Sequence, residues 1–346
     1  MIKINGSQGE GGGQILRTSV SLAVALGEPI QIHNIRSNRP KPGLRPQHLQ
    51  SIKTIAELSN STTDGLNLNS TKVSLYPNKI TPKNLDINIG TAGSITLLIH
   101  SILQAVSVSG KTFMFTIKGG TDVNWSPSTD YFCRLIIPIL EKFGFSITAS
   151  IVQRGFYPKG NGKIIFKIKA PKQIQSISII EPEYSNLTID GIITSDSSNT
   201  LSQTKIEKQC LDAKTFLEEH QITVDSTHTS THDSDSFSSG LCISSTSKHC
   251  FIGSDVLETN IKQSTTLGQK CSKKFLSEYI SQCTVDHHLA DMIIPFLSLS
   301  KTSSQFTTSY VSSHLQTNLD LCKFITGMNY QIDKKNKFCH IVSINP

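Results

Sequence analysis

GGGQILRTSVSLAVALG, residues 11–27, decides the fold, because its pattern returns twice further along the chain. Glycines open a run whose apolar positions recur at helical spacing. It leads into the strand-like PIQIHNIR, the turn-rich SNRPKPGLRP and a second helix, QHLQSIKTIAELS, after which KVSLYP and LDINIG read as extended chain. GTAGSITLLIHSILQAV (90–106) starts the same sequence of elements again. The strand KTFMFTIKGG, the turn TDVNWSPS, the helix TDYFCRLIIPILEKFG and the strands SITASIVQ and KIIFKIKA follow it. HHLADMIIPFLSLS (287–300) starts a third round, through SSQFTTSYVSS and the helix LQTNLDLCKFITGM to NYQIDK and FCHIVSI.

Each round is helix, strand, helix and two strands. Such a unit buries its helices on one face of a small sheet, and three units stack into one larger domain. The units start near residues 11, 92 and 288, so about 115 residues are extra before the third. The expected fold is therefore α/β (α+β). Residues 1–181 and 276–346 form a large repeated domain, and residues 182–275 form a smaller α/β domain inserted before the last unit. The insert shows a helix-like stretch, TKIEKQCLDAKTFLEEH, and candidate strands at LTIDGIIT and GLCISS. DSTHTSTHDSDSFSSG (225–240) reads as a flexible polar loop. Its His228 and His232 have metal-like spacing but no rigid framework, which makes a poor site.

Composition narrows the classes. Of 346 residues 37% are hydrophobic and 17% charged, as in a soluble globular protein, and no apolar run approaches the ~20 residues of a membrane span. MIKINGSQGE carries no apolar stretch after its lysine, so the expectation is no signal peptide and a cytoplasmic chain. Eight cysteines without a CxxC pair read as free thiols in a reducing compartment. A formal charge of +7 leans toward anionic partners without naming one.

Several strings carry candidate chemistry. QGEGGGQILR (8–17) leaves backbone N–H groups at a helix start available to an anion, yet it is neither a Walker A loop nor a G-x-G-x-x-G fingerprint. Glu10 inside that run could hold Mg²⁺ or Mn²⁺ against phosphates; a tight turn before a helix is the plainer reading. IRSNRPKPGLRPQH (35–48) sets Arg36, Arg39, Lys41, Arg45 and His48 in a proline-stiffened loop suited to phosphate oxygens, or simply to water. GGTDVNWSP (119–127) holds the only tryptophan, Trp125, and RGFYPKGNG (154–162) reads as a hairpin turn with a basic rim. In HHLAD (287–291), His288 and Asp291 share a helical face, and a helix cap accounts for Asp291 equally well. In SSHLQTN (312–318), His314 falls where the other units place their Arg-, Gln- and Asp-bearing turns. It is either a nucleophile in a basic pocket or a buried structural histidine.

Taken together, GSQGEGGGQILR, IRSNRPKPGLRPQHL, GGTD, RGFYPKGNG, and HLAD followed by SSHLQTN resemble the RNA 3′-terminal phosphate cyclase family from residue 4 to the last strand. The resemblance is weakest through the insert. It implies repeated α/β units with a small domain inserted before the last. It also implies use of ATP and a divalent metal, Mg²⁺ or Mn²⁺, to turn the 3′-phosphate end of an RNA into a 2′,3′-cyclic phosphate. By resemblance His314 is the nucleophile that carries AMP, and Glu10 is the metal-binding acid. Arg17, Arg36, Arg39, Gln47 and His48 contact phosphates or RNA. Gln104, Pro127, His288, Leu289, Ala290 and Asp291 fall at nucleotide-site positions. Two departures stand out: Asn161 replaces the middle of a triple glycine, and Met292 replaces the usual Gln after HLAD. The family's non-catalytic branch, which serves ribosome assembly, lacks the nucleophilic histidine and parts of the basic loop. Both are present here, which favours the enzyme. An enolpyruvyl-transferase-like protein would share the repeated architecture but gives His314 no nucleophilic part.

Overall fold

The computed structural model describes residues 1–9, 12–195, 201–234, 236–259 and 266–346. Three four-stranded sheets follow one pairing scheme. β1 (Ile2–Asn5) runs parallel to β2 (Ile30–His33), which pairs antiparallel with β4 (Val73–Tyr76), and β4 pairs antiparallel with β3 (Thr62–Asp64). The next sheet orders β5 (Asn84–Asn88), β6 (Thr112–Gly119), β8 (Gly162–Lys169) and β7 (Ser146–Gln153), with the same senses. The last orders β9 (Ser178–Ile179), β14 (Ser304–Thr308), β16 (Cys339–Asn345) and β15 (Asn329–Asn336), again with the first pair parallel.

Helices cover one face of these sheets. α1 (Gly13–Leu26) packs against α2 (Pro46–Leu58), α3 (Ile95–Val106) and α9 (Ser313–Thr326), and α9 packs against α8 (His287–Leu297). The termini follow from sequence. α1 ends at Gly27, whose φ of +74° is the left-handed conformation that glycine adopts without cost. Ser94 and Ser312 cap α3 and α9 by accepting the N–H of Leu97 and Leu315. The second unit's other helix is broken: α4 (Thr129–Tyr131) passes through a π-helical turn, Phe132–Ile136, into α5 (Ile137–Lys142). Ile15, Val20, Leu98, Ile102, Phe115, Phe166, Phe296, Phe306 and Leu319 belong to one continuous core. Burial of such side chains contributes roughly 1.5–3 kcal/mol each.

A fourth sheet, in the order β11 (Ser226–Asp233), β10 (Thr188–Ser195), β12 (Ser239–Thr246) and β13 (Phe251–Glu258), is covered by α6 (Leu201–Glu219) and α7 (Leu267–Ser281). Ile189, Ile206, Leu217, Ile243, Leu267 and Phe275 give it a hydrophobic cluster of its own.

The polar tract at 225–240 departs from expectation. Its first half is not a loop but β11, parallel to β10 in unbroken register from Thr188↔Ser226 to Ser195↔Asp233. Three β-branched threonines favour the extended chain, and an edge strand needs no fully apolar face. His228 and His232 lie on this strand, and His232 Nε2 meets Ser230 Oγ at 2.9 Å. All eight cysteines are free thiols. Among the described residues, no helix is long and apolar enough to cross a membrane.

Candidate active site

The starts of α1 and α9 meet, with α8 beside them. Gly9 has φ +54°, and a Cβ there would lie 2.5 Å from Thr317 Oγ1. A Cβ at Gly13 would overlap His48 Nε2 and Arg17 Nη1. Glycine at these two positions therefore lets α9, an imidazole and a guanidinium close on the start of α1. Thr18 Oγ1 donates to Asn318 Oδ1 at 3.4 Å, and Asn318 Nδ2 donates to the Asp291 carbonyl at 2.7 Å, which ties α1, α9 and α8 together.

His314 stands in the first turn of α9, held by a residue that sequence reading did not single out. Gln14 Oε1 lies 2.6 Å from His314 Nδ1, and Gln14 Nε2 donates to the His314 carbonyl at 3.3 Å. A backbone carbonyl only accepts, so the second bond fixes which way the Gln14 amide points. Its oxygen then faces Nδ1, which must carry the proton. In the neutral imidazole the lone pair is consequently on Nε2.

The cations of the proline-stiffened loop are not all held out from it. Arg36 has φ +53° and folds Nη1 back onto the carbonyls of Lys41 (3.0 Å) and Gly43 (3.3 Å). Burial, then Arg45 and Arg39, lower its pKa. Arg39 is exposed, and Arg45 Nη1 donates to Asn69 Oδ1 at 3.0 Å. Burial brings Arg17 down to about 10 against the pull of Asp291, so it stays charged at neutral pH. His48 is no cation. Burial, with Arg17, Arg36 and Arg45 nearby, pushes it down to about 3. Its Nδ1 accepts the Arg45 backbone N–H at 3.3 Å, so the neutral ring carries its proton on Nε2, the nitrogen near Gly13.

Among the described residues, two buried side-chain amide atoms have no hydrogen-bond partner: Gln47 Nε2 and Gln104 Oε1. Leaving such a group unpaired costs about 1–3 kcal/mol, so each is a point where a ligand atom would be favourable. Gln104 Nε2 donates to His100 Nδ1 at 3.0 Å, and His100 Nε2 reaches the Met292 carbonyl at 3.0 Å. Burial holds His100 at about 4, hence neutral. Met292 therefore meets this network through its backbone, while its side chain is buried in the core.

On α8 the helix cap is Asp286 and not Asp291. Its carboxylate accepts the N–H of His288 and Leu289, both at 3.0 Å, and the Tyr131 hydroxyl at 2.7 Å. Asp291 lies a turn further in, electrostatically coupled to Arg17. Leu289 and Ala290 are fully buried in the core. His288 is exposed, and its ring lies tilted against that of His287 at 3.9 Å between ring centres. His287 Nδ1 meets Glu278 Oε1 at 2.6 Å, and beside this pair opens a cavity of about 120 Å³. The Pro127 carbonyl accepts the Thr96 hydroxyl at 2.8 Å. Asn161 has φ +63°, so asparagine does take the left-handed conformation in the GNG turn. Glu10 lies outside the described residues. Among the described residues, no group of three His, Cys, Asp or Glu side chains is placed to hold a metal.

Gln14 and His100 were missed for different reasons. His100 and Gln104 are four apart on a helix, a pairing that sequence does display. Gln14 sits just past the glycine run, and nothing near it signals a partner so far away.

Fold and site define a mixed α/β protein whose helix starts gather guanidiniums, a neutral buried imidazole and one amide-clamped histidine. The family model for RNA 3′-terminal phosphate cyclase matches residues 8–332. The chain is 36% identical over 334 residues to the RNA 3′-terminal phosphate cyclase of Pyrococcus abyssi, covering 96% of this chain and 95% of that protein. It is 35% identical over 319 residues to that of Archaeoglobus fulgidus, covering 92% and 93%, and 36% identical over 340 residues to that of Sulfurisphaera tokodaii, covering 98% of each. The chain belongs to the RNA 3′-terminal phosphate cyclase family, and the relatives it matches over nearly their full length bear the name of an enzyme.

Proposed function

We propose that the chain is an ATP-dependent RNA cyclase, converting a 3′-terminal phosphate into a 2′,3′-cyclic phosphate and releasing AMP and pyrophosphate. The observation that carries this reading is the Gln14 clamp, which leaves the His314 lone pair on Nε2. In the first step Nε2 attacks the α-phosphorus of ATP, the bond to pyrophosphate breaks, and AMP remains on the imidazole as a phosphoramidate. An oxygen of the RNA 3′-phosphate then attacks that phosphorus, giving RNA-(3′)pp(5′)A and returning His314. Finally the neighbouring ribose 2′-OH attacks the RNA 3′-phosphorus, gives up its proton, and AMP leaves.

Arg17, Arg36 and Arg39 offset charge on the phosphates, with the Gln47 amide and His48 Nε2–H as neutral donors. His288 offers its ring to the adenine, with less area than a six-membered ring. Gln104, Pro127 and Asp291 flank the nucleotide, while Leu289 and Ala290 hold α8 from within the core. A divalent metal supplies Lewis-acid charge to the phosphates when bound, and Glu10 is the carboxylate we assign to it. We also infer three repeated units with residues 182–275 inserted before the last. The common pairing order of three sheets and the separate cluster of the fourth support this.

The test is product analysis on a 5′-labelled oligoribonucleotide ending in a 3′-phosphate, incubated with ATP and Mg²⁺ or Mn²⁺. Conversion to a phosphatase-resistant end supports the reading. An end that stays phosphatase-sensitive with both metals defeats it.

A further inference from the structure

The outward face of the sheet β5-β6-β8-β7 has a charge pattern that folding does not explain. Lys163, Lys167 and Lys169 alternate along β8 with the buried Ile164, Phe166 and Ile168. Lys118 of β6 lies directly opposite Lys163 across the antiparallel pair. Like charges in that relation destabilise a sheet, and the one carboxylate among this sheet's strands is Asp86 on β5. At about 3.3 Å per residue the row from Lys163 to Lys169 spans roughly 20 Å, room for several phosphates.

This face runs from the site end of the sheet. Lys118 and Lys163 adjoin the paired Gly119 and Gly162. The Gly120 N–H donates to the Gly93 carbonyl at 2.8 Å, and a Cβ on Gly93 would stand 3.3 Å from Gln47 Cβ. Beyond Gly119 two loops are joined by the Asp122↔Phe156 bridge and by Arg154 Nη1 on Asp122 at 3.0 Å. One carries Trp125, 99% exposed with φ +67°; the other carries Tyr157, 61% exposed, and Lys159. A positive φ on so bulky a residue is strained, and strain of this kind clusters where ligands bind. A fully exposed tryptophan contributes no burial to the fold.

We propose that Trp125, Tyr157 and the lysines 118, 163, 167 and 169 form a track for single-stranded RNA. Bases stack on the two rings and the backbone lies along the lysines, holding the strand upstream of its reacting end. This rests on the cyclase reading for the identity of the strand. Stacking on aromatics and cation contacts is the sequence-tolerant mode by which single strands bind, and it suits an enzyme that acts on ends.

Because Trp125 is the only tryptophan, its fluorescence reports the track directly. The experiment titrates the full chain, without ATP, with a 12-nucleotide RNA bearing a 3′-phosphate, following tryptophan emission and the anisotropy of a label on the RNA. The track predicts quenching on binding and about ten-fold weaker binding for Trp125→Ala. For Lys167→Ala/Lys169→Ala it predicts a salt dependence shallower by about 1.4 in log–log slope. AMP transfer to the protein from labelled ATP alone should be unchanged in the double lysine variant. Failure of that transfer in wild type would count against the cyclase reading and leave the RNA titration to be judged separately. Binding without quenching and with an unchanged salt slope, or no binding at all, overturns the track. A face made for an acidic protein would give that flat result.

Discussion

Gln14 and His314 are 300 positions apart in sequence and 2.6 Å apart in the fold, from amide oxygen to Nδ1. The contact sets which nitrogen of His314 carries its proton, so it is the part of the site that most directly bears on nucleophilic attack. Gln14→Ala removes the acceptor and frees the ring to rotate and to change tautomer. AMP transfer to the protein is expected to slow by about 10²-fold, in keeping with the gain from a positioned acid–base group, with little change in apparent ATP affinity. Gln14→Glu, which still offers an oxygen to Nδ1, should recover part of the rate. Equal loss in both variants would mean that Gln14 only packs.

A methyl group at Gly13 tests the closeness of the cationic cluster. Gly13→Ala would drive its Cβ into His48 Nε2 and Arg17 Nη1. We expect loss of cyclisation together with about 1–3 kcal/mol of stability, the usual cost of overpacking. Urea unfolding and the cyclisation assay check the two effects, and retained activity would show that His48 and Arg17 can yield without consequence.

Acid should destabilise the fold through buried neutral histidines. His48 and His100 titrate near 3 and 4 in the folded protein and near 6.5 when unfolded. Their contribution is complete above pH 6.5 and is lost as pH falls toward those values, on the order of 3 kcal/mol each by pH 4. Asp286, pushed up to about 7 chiefly by burial, works in the opposite sense: it favours the fold at low pH, and that gain is lost as pH rises through 7. Asp130, Asp255 and His287 are also raised and act with Asp286, while His288 and His232 are lowered and act with His48 and His100. The share of His48 is therefore read as a difference between wild type and a variant in urea midpoints from pH 7 to pH 4.5. The His48→Asn midpoint should rise relative to wild type as pH falls, and an identical slope would refute the assignment to His48.

Arg154 is the buried cation that joins two loops, 3.0 Å from Asp122 and 2.6 Å from Asp130. Arg154→Ala would strand the fully buried Asp122 carboxylate. A loss of about 3–5 kcal/mol is expected. A shift below 1 kcal/mol in equilibrium unfolding would show that water replaces the guanidinium.

Strongly periodic elements were legible in the sequence. α1, α3 and α8 are apolar-rich helices buried over most of their length, and β6 and β8 alternate cleanly between core and solvent. Elements whose stability comes from neighbours were not. β11 is polar along its whole length and is defined by its register with β10, and β9 is only two residues long. The site divided in the same way. Gly, Arg and His at the three helix starts were visible as residue types. Their states were not, because these depend on long-range geometry: His48 is neutral through burial, Arg36 is tied to its own loop, Asp286 rather than Asp291 caps α8, and Gln14 reaches His314.

The most direct test of the central claim, a histidine nucleophile oriented by Gln14, is to incubate the protein with α-labelled ATP and Mg²⁺ or Mn²⁺ and separate it under denaturing conditions. An acid-labile, alkali-stable label is expected on wild type and none on folded His314→Ala. Label of equal strength on His314→Ala, or none on folded wild type with either metal, would contradict it.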